Sequence, residues 1–370
     1  MVRDDLLTTN DPQRWRAALP ADACVMGSVE YARILEAHAG HAARLLVVEA
    51  AGSRIAYPFL LRPIQALPFA AAAGKGRFDT MTPEYTGPLW VRHDDSAGDA
   101  ARAAFTEIVE TTWRELAVVA EFAHLNPWQA NDPLLDANCV EVDREIVFVD
   151  LALGDDLWMK ALSGDARRQT RQAQKAGVQV RRATSRDDVL EFHRVYTSTM
   201  QRRVAHGRYY FAPEYFLAFF ETLPERSFFV LAEYQGRVVA GGLYLHDAHD
   251  VYWHLSAVDM EFSRVRPVNA YHWETIQWAA RAGKKRMLCG GGHEPGDGIF
   301  RFKAGFSPLR ARFKVYKRVR DRDAYEALVR AWCAHHGAPP PRAGFFPAYR
   351  CAHPLDVPQP AAAAVCANAA

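Results

Sequence analysis

Hydrophobic positions along the chain follow the period of a strand in some segments and the period of a helix in others, which indicates an α/β protein. Two apolar runs, Leu45–Glu49 and Ile55–Leu61, flank a turn at Gly52 and predict a β-hairpin. Residues 101–116 carry apolar side chains at helical spacing and predict an amphipathic helix. Strand and helix patterns of this kind alternate as far as a last predicted helix at Tyr325–His335.

A second hairpin resembles the first and indicates an internal repeat. LLVVEAAGSRIAYPFLL (45–61) and FFVLAEYQGRVVAGGLYL (228–245) each contain a strand ending in Glu, a Gly-containing turn, and an Arg before the second strand. A duplicated α/β domain is the simplest account. We therefore predict an N-terminal domain at 1–150 and a C-terminal domain at 151–337. The Pro/Ala-rich tail at 338–370 is expected to be largely disordered.

Composition narrows the function classes. Of the 370 residues, 49% are hydrophobic and 24% are charged, as in folded proteins, and the net charge is only +2. A contact with nucleic acid must therefore depend on a local basic patch. No apolar run reaches the length of a membrane span, and no signal peptide is predicted, so a cytoplasmic protein without an integral membrane segment is expected. None of the six cysteines forms a C-x-x-C pair, so we expect no metal site.

The stretch CGGGHEPGDGIFRFKAGF (Cys289–Phe306) has the composition of a binding loop. Clustered glycines are tolerated where the backbone turns sharply or approaches a ligand. If the segment that follows is extended, Phe302 and Lys303 point to opposite faces, so one anchors in the core and the other faces a cleft. The alternative is a loop followed by an edge strand with a solvated lysine.

Four motifs, together with the order of elements, resemble the FemA/FemB/FemX group of peptidyl transferases within the GCN5-related N-acyltransferase (GNAT) superfamily. They are RRQTRQAQKAGVQV (167–180), TPEYTGPLW (82–90), FAHLNPW (122–128) and, most specifically, GIFRFKAGF (298–306). The resemblance covers about residues 10–320 and implies tandem GNAT-like domains, each a mixed, mostly antiparallel sheet flanked by helices. The chain departs from the pattern at His124, where arginine is usual, and shows no helical-hairpin arm.

The resemblance also implies catalytic roles. Lys303, next to Phe302, would offset negative charge on the tetrahedral intermediate or on the leaving 3′ end of the donor. The acyl donor is already activated, so a Ser/His/Asp or Cys/His arrangement is not required, and none is evident in the sequence. His254, within the apolar strand VYWHLSAV, is the candidate base, with a hydrogen-bonded core histidine as the alternative. Glu84 and Asp79 are weaker candidates.

Basic and aromatic side chains supply the predicted substrate contacts. An arginine-rich helix near the domain junction suits a phosphorylated substrate or tRNA, although a solvated basic face explains it equally well. The aromatic residues Tyr252, Tyr271 and Trp273 either line a pocket or belong to the core. The predicted substrate-binding residues are Arg167, Arg168, Arg171, Tyr85, Tyr252, Asn269 and Tyr271.

The acyl donor is predicted from one loop. Coenzyme A-using members of this fold cradle the pyrophosphate on a glycine-containing loop, whereas DMEFSRVRPVNAYHW after Val258 has no glycine, and Pro267 lacks an N–H. We therefore favour aminoacyl-tRNA over acyl-CoA as co-substrate, with no tightly bound cofactor.

Three functions stay open at this stage. The first is transfer of an aminoacyl group from aminoacyl-tRNA to an amine acceptor, either a cell-wall precursor or a small molecule. The second is a CoA-dependent N-acyltransferase of polysaccharide or natural-product biosynthesis. The third is a non-catalytic binding module that retains the fold.

Overall fold

The computed structural model describes residues 2–70, 72–129, 131–205, 207–294, 296–341 and 345–352. The strands in this part of the chain are β1 (Arg3–Thr8), β2 (Ala42–Ala50), β3 (Ser53–Pro63), β4 (Phe78–Met81), β5 (Leu89–Arg92), β6 (Val118–His124), β7 (Val140–Asp150), β8 (Gln179–Arg182), β9 (Ser227–Tyr234), β10 (Arg237–His246), β11 (Asp250–Val258), β12 (Arg286–Gly290) and β13 (Arg310–Val319). The helices are α1 (Pro12–Ala18), α2 (Val29–Ala39), α3 (Gly98–Glu115), α4 (Gly164–Ala176), α5 (Arg186–Arg202), α6 (Pro213–Thr222), α7 (Pro267–Arg281), α8 (Gly298–Ala304) and α9 (Arg322–His336).

All the strands belong to one sheet whose two ends repeat each other. The order is β1-β2-β3-β4-β6-β13-β7-β12-β11-β10-β9-β8, with β5 paired to β3. At one end β1 to β4 pair antiparallel and β4 pairs parallel with β6. At the other end β8 to β11 pair antiparallel and β11 pairs parallel with β12. The predicted hairpins are β2–β3 and β9–β10, so the internal repeat inferred from them is present in the sheet.

The two halves exchange strands at the centre of the sheet. Strand β7 ends the first half (residues 1–150) but pairs with β12 of the second half (151–337). Strand β13 is the last strand of the second half but pairs with β6 of the first. One hydrophobic cluster also spans both halves, since Val25 and Ile34 pack with Phe192 and Phe229. The boundary at residue 150 therefore does not separate two independent cores.

The parallel pair β11–β12 separates partway along its length. Its ladder joins Asp250–Tyr252 to Arg286–Leu288 and goes no further, although β11 continues to Val258. Beyond the split, peptide groups on this side of β11 have no partner in the ladder, which leaves polar backbone groups available to a ligand. Gly290, with φ +77°, turns β12 away from β11. The opening created in this way is where the candidate site lies.

Helices cover both faces of the second half. Helices α5 and α6 pack on one face around Phe192 and Phe216, while α4 and α7 pack on the other through Ala173 and Ile276. No helix in the described part of the chain is long and apolar enough to cross a membrane.

The segment carrying Phe302 and Lys303 is helical, so the prediction of an extended segment is wrong. Asp297 caps α8, because its side chain accepts a hydrogen bond from the Phe300 N–H at 2.7 Å. On a helix, adjacent side chains lie about 100° apart and do not point to opposite faces. Phe302 and Lys303 therefore both reach the same cavity.

Two further segments differ from the predictions. Strand β1 lies at the start of the chain, where the hydrophobic pattern did not predict a strand. Residues 345–352, expected to be disordered, pack against both halves: Tyr349 is fully buried in a cluster with Ile64 and Val119, and the Trp332 indole N–H donates to the Cys351 carbonyl at 2.6 Å. This segment carries Phe345, Phe346 and Tyr349, whose aromatic surface favours ordering. The remainder of the predicted tail, residues 342–344 and 353–370, lies outside the described residues.

Candidate active site

Two cavities meet at Lys303. One, called here the acyl cavity, has a volume of about 830 Å³ and is walled by β11, α5 and α8 of the second half. The other, called the inter-half cleft, has a volume of about 790 Å³ and is walled by residues of both halves and by residues 345–350. Trp253, His254, His293, Ile299 and Lys303 line both cavities. Ligands bound in the two cavities would therefore meet beside the Lys303 ammonium.

The Lys303 ammonium is fixed at the point where β12 ends. Its Nζ donates to the Gly291 carbonyl at 2.7 Å and lies 5.9 Å from the centroid of the Trp253 ring. Burial lowers the pKa of Lys303, while the neighbouring Cys289 and Glu84 act in the opposite direction. A poorly solvated ammonium gains more than a solvated one from a new anion, so this position suits stabilisation of a developing oxyanion.

Phe302 fixes α8 against the second half and also contributes to a cavity wall. Its ring centroid lies 5.4 Å from that of Phe306 and 6.3 Å from that of Trp253. The same ring lines the acyl cavity beside Lys303. Phe302 therefore packs beside the lysine, and its catalytic role stays a prediction.

His254 lies between the core and both cavities. Its Nε2 is 3.4 Å from the Tyr215 hydroxyl oxygen, and its ring packs on Phe219 and Tyr31. Burial lowers the pKa of His254, and the charge of Glu84 opposes this shift. A neutral imidazole at the wall of both cavities is a suitable proton acceptor, so the structure leaves His254 in place as the candidate base.

The loop after β4 brings Glu84 and Tyr85 to the cleft. Tyr85 has φ +53°, and its carbonyl accepts a hydrogen bond from the Asn126 side chain at 3.2 Å. Its ring packs on Phe313 and, by one face, on the buried Tyr252. Glu84 is exposed at the cleft and pairs with no cation among the described residues. Tyr85 therefore lies in the cleft wall, and its role as a substrate-binding residue stays a prediction.

Three predicted substrate-binding residues lie in the core and line neither cavity. Tyr252 is 1% exposed, and its hydroxyl donates to Asp247 at 2.8 Å. The Tyr271 hydroxyl bonds the Ser256 hydroxyl at 2.7 Å, and Asn269 is buried in the first turn of α7. The hydroxyls of Tyr252 and Tyr271 already have partners, so these two residues support the cavity walls from behind.

The arginines of α4 also lie away from both cavities. Arg167 donates to the carbonyls of Met159 and Leu162 at 3.0 and 2.9 Å, which fixes the turn before the helix. Arg171 lies over the Trp158 ring, and Arg168 forms an exposed ion pair with Asp165 within α4. The arginines of α4 therefore line neither cavity, and their role in substrate binding stays a prediction.

A Cys–His pair that the sequence did not reveal lies behind Lys303. The Cys289 sulfur is 3.6 Å from His272 Nε2, and His272 Nδ1 is 2.9 Å from the Tyr244 hydroxyl. Burial raises the pKa of Cys289 to about 12 and lowers that of His272 to about 3. The pair is therefore a neutral thiol and a neutral imidazole, which is unsuited to nucleophilic catalysis. It was missed because the two residues come from β12 and α7, 17 positions apart.

Asp79, a weaker candidate base, forms ion pairs with two arginines. It is fully buried and forms ion pairs with Arg62 and with Arg350, whose Nε lies 2.8 Å from Asp79 Oδ2. Both carboxylate oxygens of Asp79 are therefore occupied by guanidinium groups. Among the described residues, no three His, Cys, Asp or Glu side chains are arranged to hold a metal ion.

Comparisons with known proteins identify the second half. Residues 161–304, less than half of the chain, match a family model described as an acetyltransferase (GNAT) domain. The second half contains a GNAT acyltransferase domain. This domain holds β11, β12 and Lys303, and therefore both sides of the split that forms the site. No curated protein matches the chain.

Solved structures extend the likeness to the whole fold. FemX is similar with a TM-score of 0.66 at 13% identity, over 88% of this chain and 99% of its own. A tandem GNAT protein from the clavulanic acid biosynthesis pathway has a TM-score of 0.51 at 12% identity, over 86% and 99% of the two chains. A conserved protein of unknown function from Bacteroides thetaiotaomicron VPI-5482 has a TM-score of 0.55 at 12% identity, over 86% and 100%. The predicted tandem GNAT-like fold is confirmed.

Proposed function

We propose that this N-acyltransferase forms an amide bond between two bound molecules beside the Lys303 ammonium. The acyl group lies in the acyl cavity and the amine acceptor in the inter-half cleft. The observation that carries the proposal is the half-buried ammonium of Lys303 at the junction of the two cavities. Either cavity alone would accommodate a ligand, but only their junction brings two ligands to one cation.

The acyl cavity suits an acyl group with a sizeable apolar part. Its wall includes Met200, Leu255, Val268 and Phe302, and most of its lining is apolar. A volume of about 830 Å³ far exceeds the volume of an acetyl group and lies within the range of small-molecule pockets. Along one side runs the part of β11 beyond the split, whose free peptide groups suit a ligand that contains amides.

Two side chains, Lys303 and His254, are sufficient for the proposed reaction. The acceptor amine attacks the acyl carbonyl, a C–N bond forms, and negative charge develops on the carbonyl oxygen, which the Lys303 ammonium stabilises. His254, neutral because of burial, accepts the proton that the amine loses. The bond between the acyl carbon and the donor oxygen then breaks, and the proton passes to that leaving oxygen.

The proposed donor is aminoacyl-tRNA. In the turn where CoA-using members hold pyrophosphate, Arg266 has φ +56°, Pro267 has no N–H, and the Asn269 N–H already donates to the Arg266 carbonyl at 3.1 Å. The first turn of α7 thus lacks the row of free N–H groups that binds phosphate. The fold likeness to FemX agrees with this proposal without testing it. Acyl-CoA is the second candidate, favoured by the match of residues 161–304 to an acetyltransferase domain.

A transfer assay with both donors tests the proposal. The protein is incubated with a pool of amines and either radiolabelled aminoacyl-tRNA or acyl-CoA of increasing chain length, and amide products are counted. We expect transfer from aminoacyl-tRNA that weakens steeply as salt rises, because tRNA binding releases counterions. Transfer from acyl-CoA alone would refute the donor assignment. Transfer from neither would favour a binding module that retained the fold.

A further inference from the structure

We propose that the first-half end of the inter-half cleft is an anion pocket, formed by Arg62 and Arg350, that binds a carboxylate or phosphate group of the acceptor. This inference relies on the proposed function only for the identity of the bound molecule as the acceptor. The pocket itself follows from charge and geometry. Both arginines line the same cleft as Lys303, so one molecule in the cleft can contact them while its amine lies near the lysine.

The pocket contains more positive than negative charge in a buried setting. Two guanidinium groups share one carboxylate, that of Asp79, and the side chains of Arg62, Arg350 and Asp79 are 10%, 14% and 0% exposed. Tyr349 adds a neutral hydroxyl 3.3 Å from Asp79 Oδ2. The cluster therefore carries a net charge of +1. An unbalanced buried charge is costly unless an anion of the ligand or solvent balances it.

Neighbouring groups do not supply the missing negative charge. Asp143 in the cleft pairs with the adjacent Arg144. His41 faces the pair, and burial, together with the charges of Arg62 and Arg350, lowers its pKa to about 4, so it is neutral. Its buried Nδ1 has no hydrogen-bond partner among the described residues, which leaves a polar atom available to a ligand. Glu84 is exposed and acts electrostatically on Lys303 and His254.

The segment 345–352 is a fixed part of this pocket. Arg350 Nη2 donates to the carbonyls of Arg62 and Pro63 at 3.3 and 3.1 Å, which orients its guanidinium toward Asp79. Phe345 and Phe346 of the same segment line the cleft, and Tyr349 and Cys351 are buried beside it. The last described segment of the chain thus contributes a charged group and two apolar groups to the acceptor side of the site.

A series of charge variants tests the pocket without any acyl donor. Binding of inorganic phosphate and of acetate is measured separately by titration calorimetry at constant ionic strength, which distinguishes a phosphate from a carboxylate ligand. The cluster charge is +1 in the natural protein, 0 in Arg350→Gln, +2 in Asp79→Asn and +1 in the double variant. Arg350→Lys keeps the charge. Arg330→Gln, which removes an exposed arginine on α9, is the matched control for net charge.

The expected affinities follow the cluster charge. Arg350→Gln should weaken binding of the preferred anion about tenfold or more, because a charge-assisted contact is lost. Asp79→Asn should tighten binding, and the double variant should return close to the natural affinity. Arg350→Lys should bind within a few fold of the natural protein, and Arg330→Gln should bind like it.

Several outcomes would overturn the pocket. They are no binding of either anion by the natural protein, equal binding across the series, or a double variant weaker than both single variants, as a merely structural role predicts. Circular dichroism shows which variants are folded. If Arg350→Gln does not fold, a comparison of Arg350→Lys and Asp79→Asn with the natural protein still shows whether anion affinity rises with the charge of the cluster. Anion binding without acyl transfer from any donor would retain the pocket and refute the proposed function.

Discussion

His272 should make the wall behind Lys303 sensitive to acid. The imidazole is fully buried between the Tyr244 hydroxyl and the Cys289 sulfur, and its ring stacks on Trp253 with the centroids 4.0 Å apart. Burial first, and the charge of Lys303 second, lower its pKa from 6.5 to about 3. The folded protein therefore keeps His272 neutral at pH values where the unfolded chain protonates it.

The sign and size of the effect follow from linkage. Because the unfolded state binds more protons between the two pKa values, this contribution is complete above about pH 6.5 and is lost as the pH falls toward 3. From pH 7.5 to pH 5 the loss is about 2 kcal/mol, and in the limit of low pH it reaches roughly 5 kcal/mol. Burial shifts His41 and His246 in the same direction, which adds to the slope of the natural protein.

The assay is urea unfolding of the natural protein and of His272→Gln at pH 7.5 and pH 5. We expect the variant to be less stable at pH 7.5, since it loses packing, but to lose about 2 kcal/mol less than the natural protein between the two pH values. His335→Gln, which removes an exposed histidine, should retain the full pH dependence. An unchanged pH dependence in His272→Gln would refute the assignment of a neutral, buried imidazole.

Three further predictions concern the site and its surroundings. His254→Gln should lower kcat/KM about 100-fold and remove the acidic limb of its pH profile, which lies below pH 6.5 because burial lowers the pKa; retention of that limb would point to another base. Gly290→Ala should reduce transfer, because φ is +77° and the new Cβ would lie 3.2 Å from Lys303 Nζ. Gly236→Ala, at φ +75° in open space, is its control, and equal losses in the two variants would contradict a specific effect on the lysine. Arg167→Ala should lower the free energy of unfolding by about 1–2 kcal/mol and leave kcat/KM unchanged, whereas a raised KM for the donor without a loss of stability would restore the phosphate-grip hypothesis.

Sequence patterns predicted the repeated part of the fold well. The hairpins were recognisable because strand alternation and a glycine-containing turn are local signals, and β2–β3 and β9–β10 carry both. The exchange of β7 and β13 was not predictable, since β7 pairs with β12 across at least 136 positions and β13 pairs with β6 across at least 191, and such distant pairing leaves no local mark. The turn Asp297–Phe300 did hold a helix signal, a capping Asp, but the glycines around it favoured a loop.

Among the candidate site residues, Lys303 and Tyr85 were singled out because they belong to motifs that resemble a known family. Both line the cleft, and their roles stay predictions. Tyr252 and Tyr271 were indistinguishable from pocket residues, since aromatic side chains at strand and helix spacing also form cores. Arg350 was missed because the composition of the tail masked the aromatic residues that order its neighbourhood.

Single-turnover acyl transfer by Lys303→Met tests the central claim most directly. Methionine retains an apolar side chain of similar length and removes the ammonium, so a folded variant with normal donor binding isolates the charge. The account predicts a loss of the transfer step of about 100-fold or more, as for removal of an oxyanion-stabilising donor, with donor affinity within a few fold. Transfer at a near-normal rate in a folded Lys303→Met variant would contradict it.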